Sequence, residues 1–300
     1  MSFADFLAAK YPLDERSVNP SVRSAWMRGL QDMPVLDCLD VGAGTGATVR
    51  RMLEWRPSRP WCLTLLECNH DLIERARTDT LRLLTERGCR PAWRGDRLES
   101  EDGRFAASFV ACGLESYRPQ SRYDAIVAHA VMDLVPLAPA LERFAQWLRP
   151  DGYLYAAINY DGQTELGPPY RDAAFESELA ACYNASMEAR KSNDESTGGA
   201  RCGERLQALL PRHGFEIACA GRSDWHLRPI DGRYPDDDQA CLAVLIGLIA
   251  KEAVESGRFD AGAVARWRED RLQHLEARQL ELRARNCDVL ARRPRDRFAG

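Results

Sequence analysis

Residues Leu39-Asp40-Val41-Gly42-Ala43-Gly44-Thr45-Gly46 constrain this chain more than any other segment. Val35 to Val41 is a short, mostly apolar run, which suits a buried strand. It ends in three alternate glycines, and Ala47 to Trp55 then reads as a helix. A strand that breaks into glycines and re-enters as a helix lets backbone approach a ligand closely and adopt positive φ. The first turn of the helix that follows offers free N–H groups and a partial positive charge, which suit a carboxylate or a phosphate equally well.

Two ligand readings compete. Gly42, Gly44 and Ala47 satisfy the looser dinucleotide pattern G-x-G-x-x-A. Asp40 weighs against it, because a carboxylate two residues before the first glycine would repel a pyrophosphate. A ligand carrying an ammonium and a sulfonium would be attracted by it.

The rest of the chain continues the strand–helix rhythm. Trp61 to Glu67 predicts a second strand, Asp71 to Arg87 a helix, and Arg90 to Trp93 a third strand. Ala125 to Val131 predicts a fourth strand, Leu137 to Leu148 a helix stopped by Pro150-Asp151-Gly152, and Tyr153 to Asn159 a fifth strand. Such alternation implies a parallel sheet covered on both faces. Residues 2 to 30 read as helix in two pieces split near Pro12 and Pro20. After Asn159 the alternation breaks: residues 161 to 202 are polar and read as an insertion. A helix from about 203, a strand within Phe215 to Trp225, helices at about 237 to 256 and 260 to 281, and a strand from about 283 to 291 complete the chain.

At the glycine segment the chain resembles the class I S-adenosylmethionine-dependent methyltransferases. Their acidic residue followed by G-x-G-x-G is matched by Asp40, Gly42, Gly44 and Gly46, with Ala43 inside the loop. Glu67 closes the second strand where that family holds both ribose hydroxyls, and a carboxylate can accept from two vicinal hydroxyls. Gly95-Asp96 follows the expected third strand, and the resemblance puts Asp96 near the adenine amino group. It implies an α/β, Rossmann-like, doubly wound, mostly parallel seven-stranded sheet with helices on both faces and a helical insertion after the fifth strand. One methyltransferase-like domain over 1–300 is expected, made of a helical cover (1–30), a cofactor-binding core (31–160), an insertion or lid (161–202) and a C-terminal part (203–300). The implied cofactor is S-adenosylmethionine, with S-adenosylhomocysteine as product.

Composition removes other classes. A net charge of -4 gives no electrostatic reason to seek nucleic acid or an anionic membrane. The Arg-rich end (Arg283, Arg285, Arg292, Arg293, Arg295, Arg297) is interrupted by Asp288 and Asp296 and reads as a solvated terminus. The longest apolar run, Cys241 to Ala250, is half of the roughly 20 residues a membrane span needs. The start of the chain lacks the apolar run of a signal peptide. Ten cysteines contain no C-x-x-C pair and five histidines no H-x-x-x-H pair, so no metal site is expected and a reducing cytoplasm is. The oligomeric state stays open, a homodimer among the options.

Acceptor contacts are expected at the carboxyl ends of the fourth and fifth strands, which border the crevice of an open α/β sheet. His129, Asp133 and Tyr160 are the catalytic candidates and Asp161 a substrate contact. Within the insertion Tyr183, Met187 and Arg190 are spaced by four and three, on one helical face. Tyr183 and Arg190 are therefore further substrate contacts, on a segment that either covers the sheet as core or closes as a lid, with Gly198-Gly199 as a flexible exit. Arg190 would suit a carboxylate or phosphate. The absence of Asn-Pro-Pro-Tyr or Asp-Pro-Pro-Tyr after the fourth strand argues against amino groups of bases or glutamine as acceptors. The reading is methyl transfer to a small-molecule acceptor. The alternatives are cofactor cyclisation or aminocarboxypropyl transfer, a nicotinamide oxidoreductase, and a non-catalytic binder of the same cofactor.

Overall fold

The computed structural model describes residues 1–31, 35–55 and 59–295. Asp296 and Arg297, read above as part of the basic end, lie outside the described residues. The N-terminus forms three short helices, α1 (Phe3–Ala9), α2 (Tyr11–Ser17) and α3 (Pro20–Gly29). Two pieces were expected. Pro12 starts α2 instead of only ending α1, because a first-turn proline lacks an N–H that would be unpaired anyway. Asn19 caps α3 by accepting from the N–H groups of Ser21 and Val22.

The expected core follows: β1 (Leu36–Val41), α4 (Ala47–Trp55), β2 (Trp61–Glu67) and α5 (His70–Glu86). Next comes a departure. β3 (Pro91–Arg94) and β4 (Arg97–Ser100) are an antiparallel edge hairpin, and the third parallel strand is β5 (Phe105–Ala111), paired with β2 from Trp61↔Phe105 to Glu67↔Ala111. Phe105, Ala106 and Ala107 are buried, whereas Ala92, Trp93 and Arg94 are exposed. Burial against the β2 neighbour decided which segment became the central strand.

β6 (Tyr123–His129) leads through a 3-10 turn (Met132–Leu134) to α6 (Leu137–Trp147) and β7 (Leu148–Gly167). Then come α7 (Ala173–Ala189), a small hairpin of β8 (Lys191–Ser192) and β9 (Glu195–Ser196), and α8 (Cys202–Leu209). The chain finishes with β10 (Glu216–Arg222), β11 (Trp225–Leu227), α9 (Asp238–Glu255), α10 (Ala261–Glu276) and β12 (Glu281–Arg292).

The main sheet runs β10-β12-β7-β6-β1-β2-β5-β4-β3, with β11 paired to β12 beside this path. That makes ten strands among the described residues instead of seven, the excess coming from the edge hairpin and β11. From β5 to β7 the strands are parallel, and β12 enters antiparallel between β7 and β10. One face is covered by α3, α4 and α5 through Trp26, Met52 and Ile73. The other is covered by α6 and α8 through Leu141, Phe144 and Leu206.

A third apolar cluster gathers α1, α2, α7, α9 and α10 on the outer halves of β7 and β12. These halves exist because β7 does not stop at Asn159 but continues to Gly167, paired with β12 out to Glu281. The ribbon is bent at Ile158, whose φ is +53°. Buried Asp288 accepts the N–H of Ile158 at 2.8 Å and that of Asn19 at 2.8 Å, so the bend leaves neither donor orphaned. Among the described residues no helix is long and apolar enough to cross a membrane.

Candidate active site

Because β1, β2, β5 and β6 are parallel, their carboxyl ends open onto one edge. They enclose a cavity of about 490 Å³ bordered by the Gly42–Thr45 loop, Glu67 to Asn69, Cys112 to Glu115, and His129 to Val131. Here β1 pairs with β2 on one side and β6 on the other, the switch point at which open α/β sheets bind ligands.

The loop can only be built from glycine at its first position. Gly42 has φ +66°, and a Cβ there would lie 2.4 Å from Val131 Cγ2. Gly44 has φ +54° and would meet only the tip of Leu7, at 3.1 Å. Helix α1 therefore lies directly over the loop.

Asp40 is 2% exposed, and its Oδ2 has no hydrogen-bond partner. Burial raises its pKa to about 7; the Thr48 hydroxyl and Arg51 lower it only in part, and Glu67 raises it further. A buried carboxylate oxygen without a partner costs free energy unless a cation or a donor meets it. Glu67 is also buried. Its Oε2 accepts the Gly44 N–H at 2.9 Å and its Oε1 the Asn69 N–H at 2.9 Å.

His129 ends β6 with both ring nitrogens buried and unpartnered. Its Nε2 is 3.7 Å from Asp14 Oδ2. Burial, then Arg51 and Lys10, hold its pKa well below 6.5, so the ring is neutral at physiological pH. Asp14 is a residue that sequence reasoning missed. From α2 it accepts from Lys10 Nζ at 2.9 Å and Trp225 Nε1 at 3.1 Å, and it is 3.9 Å from Arg51. Arg51 is also paired with Glu15. In sequence Asp14 stands beside Glu15 and Arg16, so nothing local set it apart from a solvated charge run.

A second cavity, of about 430 Å³, adjoins the first; Phe3, Leu7, Lys10, Ala130 and Leu134 border both. Asp133, Tyr160, Tyr183, Met187 and Arg190 all border this second cavity. The Tyr160 hydroxyl donates to Asn184 Oδ1 at 2.9 Å and accepts from the Thr164 hydroxyl at 2.8 Å. Burial raises its pKa to about 12, so it stays protonated and engaged. Arg190 Nη1 faces Asp133 Oδ2 at 3.8 Å, which means its charge already has a carboxylate opposite it.

Three expectations are corrected. Asp96 lies in the exposed turn of the edge hairpin, away from the cavity, and the loop after the true third parallel strand is Cys112 to Glu115. Asp161 faces away from Tyr160, as strand alternation requires, and pairs with Arg222 and Arg285, each at 3.3 Å. Gly198 and Gly199 are not a loose exit. Their N–H groups donate to Val135 O at 3.0 Å and Asp133 O at 3.1 Å, and a Cβ on Gly198 would lie 2.4 Å from Met132 O. Among the described residues no group of three or more His, Cys, Asp or Glu is placed to hold a metal ion.

A mostly parallel sheet with a glycine loop at its switch point is the fold of the class I methyltransferases. The chain matches the family model described as a methyltransferase domain over residues 13–187, more than half its length, and belongs to that family. Among solved structures it is similar to an S-adenosylmethionine-dependent methyltransferase from Geobacter sulfurreducens in complex with S-adenosylhomocysteine. The identity is 16% and the TM-score 0.44, with 93% of this chain and 92% of that chain covered. A methyltransferase from Thiobacillus denitrificans, in the same kind of complex, gives 14% identity and a TM-score of 0.43, with 91% and 92% covered. Both likenesses are distant, and the assignment rests on the family match. No curated relative matches the chain.

Proposed function

We propose that this methyltransferase moves the methyl group of S-adenosylmethionine onto a small-molecule acceptor held in the second cavity. The observation that carries the reading is the pair of adjoining cavities: one has a glycine loop and a buried acid with one oxygen unpartnered, the other is largely apolar. The residues fit the cofactor. Asp40 would receive its ammonium and Glu67 the ribose hydroxyls, while Gly42, Ala43, Gly44 and Gly46 would bring backbone against it. When bound, the cofactor supplies a methyl already activated by positive sulfur.

The protein's own task is then to align and to exclude water, effects worth up to about 7–11 kcal/mol. Helix α1 borders both cavities through Phe3 and Leu7. Tyr160 holds the wall through Asn184 and Thr164. His129 and Asp133 stand at the strand end nearest the seam, and Arg190 and Tyr183 lie beside Asp133. The ten cysteines fit a reducing cytoplasm.

Titration calorimetry with S-adenosylmethionine and S-adenosylhomocysteine tests the donor half. Product analysis tests the reaction, because methyl transfer leaves S-adenosylhomocysteine whereas cyclisation or aminocarboxypropyl transfer leaves methylthioadenosine. Tight binding of both ligands and an S-adenosylhomocysteine product are expected; methylthioadenosine as the product would overturn the reading.

A further inference from the structure

We infer that the second cavity takes a neutral hydroxylic acceptor, an alcohol or phenol on an apolar body, and that Asp133 receives the hydroxyl proton. This rests on the first cavity being the methyl-donor site. The volume of about 430 Å³ is in the range of small-molecule sites. Its walls are mostly rings and aliphatic chains, among them Phe6, Trp225, Leu245, Ile249 and Leu282.

The polar groups in those walls are nearly all engaged. Tyr160 bonds Asn184 and Thr164, Lys10 and Trp225 bond Asp14, and Asn286 Nδ2 bonds Ala284 O. What remains is one polar end, made of Asp133, Arg190 and Tyr183. At 3.8 Å, Asp133 and Arg190 are close enough to match charges and too far apart to hydrogen-bond. A carboxylate head placed there meets Asp133, and an ammonium meets Arg190. A hydroxyl meets both favourably, since it donates to the carboxylate and accepts from the guanidinium.

Position makes this end the reacting end. Asp133 sits in the 3-10 turn between Ala130 and Leu134, which border both cavities. The wall opposite, from Trp225 onward, lies outside residues 13–187 and so outside the family match. That part of the acceptor wall, from Trp225 onward, does not border the first cavity. In the reaction the acceptor oxygen forms its bond to the methyl carbon as the carbon–sulfur bond breaks, and sulfur keeps that electron pair. The hydroxyl proton passes to the Asp133 carboxylate and then to water. Burial pushes the Asp133 carboxyl up, and Arg190 and then Lys10 pull it back toward the ionised form. Tyr183 and the Cys202 thiol are the other titratable groups that feel its charge.

Four probes with one body test the proposal: naphthol, naphthoate, naphthylmethylammonium and methylnaphthalene. Each is titrated into the full chain with and without saturating S-adenosylhomocysteine, following tryptophan fluorescence. Naphthol is expected to bind at least about tenfold tighter than either charged probe. Leu245→Trp, which fills the apolar wall, should weaken naphthol about tenfold or more and leave S-adenosylhomocysteine affinity unchanged. Asp133→Asn should keep naphthol binding, lower its methylation about 100-fold and remove the acid limb of the pH–rate profile. Tightest binding by naphthoate or the ammonium probe, no binding by any probe, or full turnover by Asp133→Asn would each overturn the acceptor assignment. Loss of the donor reading shows separately, as failure to bind S-adenosylhomocysteine.

Discussion

The Glu67 carboxylate ties the end of β2 to the glycine loop of β1, because its Oε2 accepts the Gly44 N–H at 2.9 Å. One acid thus sets the loop's position and offers its remaining lone pairs to the cavity. Glu67→Ala removes both roles. It should weaken S-adenosylhomocysteine by about 2–3 kcal/mol, the worth of a charge-assisted hydrogen bond. Glu67→Gln, which keeps a neutral acceptor, should recover part of that loss. Unchanged affinity in Glu67→Ala by calorimetry would remove Glu67 from the site.

The glycines predict a graded response. Gly42→Ala combines left-handed strain of about 1–2 kcal/mol with a collision against Val131 at 2.4 Å. It should lower Tm and abolish cofactor binding together. Gly44→Ala meets only the movable tip of Leu7 and should cut affinity with a smaller change in Tm. Equal Tm losses in the two variants, measured by calorimetric melting, would contradict this ordering.

Asp40 makes both stability and binding depend on pH. Its folded pKa of about 7 lies above its unfolded value, so its contribution favours the folded state below the unfolded pKa and is lost as pH rises toward 7. In the ligand-free protein the loss approaches about 4 kcal/mol at most, at 1.36 kcal/mol per unit. The groups facing it are Thr48, Arg51 and Glu67. A cationic ligand reverses the preference, so S-adenosylmethionine affinity should climb as pH approaches 7 and level off above it, with proton release on binding. Asp40→Asn should flatten both dependences, raise the ligand-free Tm at pH 8 and weaken the cofactor. A wild-type affinity that is flat between pH 5 and 8 would show that Asp40 does not meet the cation.

Asp14 joins the N-terminal cover to the site. Asp14→Ala leaves Lys10 and the Trp225 indole N–H without acceptors and removes a counter-charge from Arg51. The expected cost is about 3 kcal/mol, at the low end for breaking a buried charge network. Denaturant unfolding measures it; a change within experimental error would show that water replaces the carboxylate.

The donor half was legible because its information is local. Asp40, Gly42, Gly44 and Gly46 lie within one strand–turn–helix, and Glu67 is the last residue of the strand beside it. An apolar run followed by alternate glycines permits little else, so strand, turn and helix start could all be read from composition and spacing. Asp96 went astray for the opposite reason. Gly-Asp after a short strand is a sound local turn, but whether that strand is central depends on what it buries against. Phe105, Ala106 and Ala107 pack behind β2, and Trp93 does not. Likewise, alternation alone would have turned Asp161 from Tyr160, but the bend at Ile158 is met by Asp288, 130 residues away in sequence, and β7 runs on because β12 pairs with it out to Glu281. The acceptor cavity was least visible. Its walls come from α1, the turn after β6, α7, α9 and β12, and no periodicity records that these meet. Sequence determined the chemistry a continuous segment can carry; the tertiary structure decided which distant segments share a cavity, because burial is a property of the assembled surface and not of any one stretch of chain.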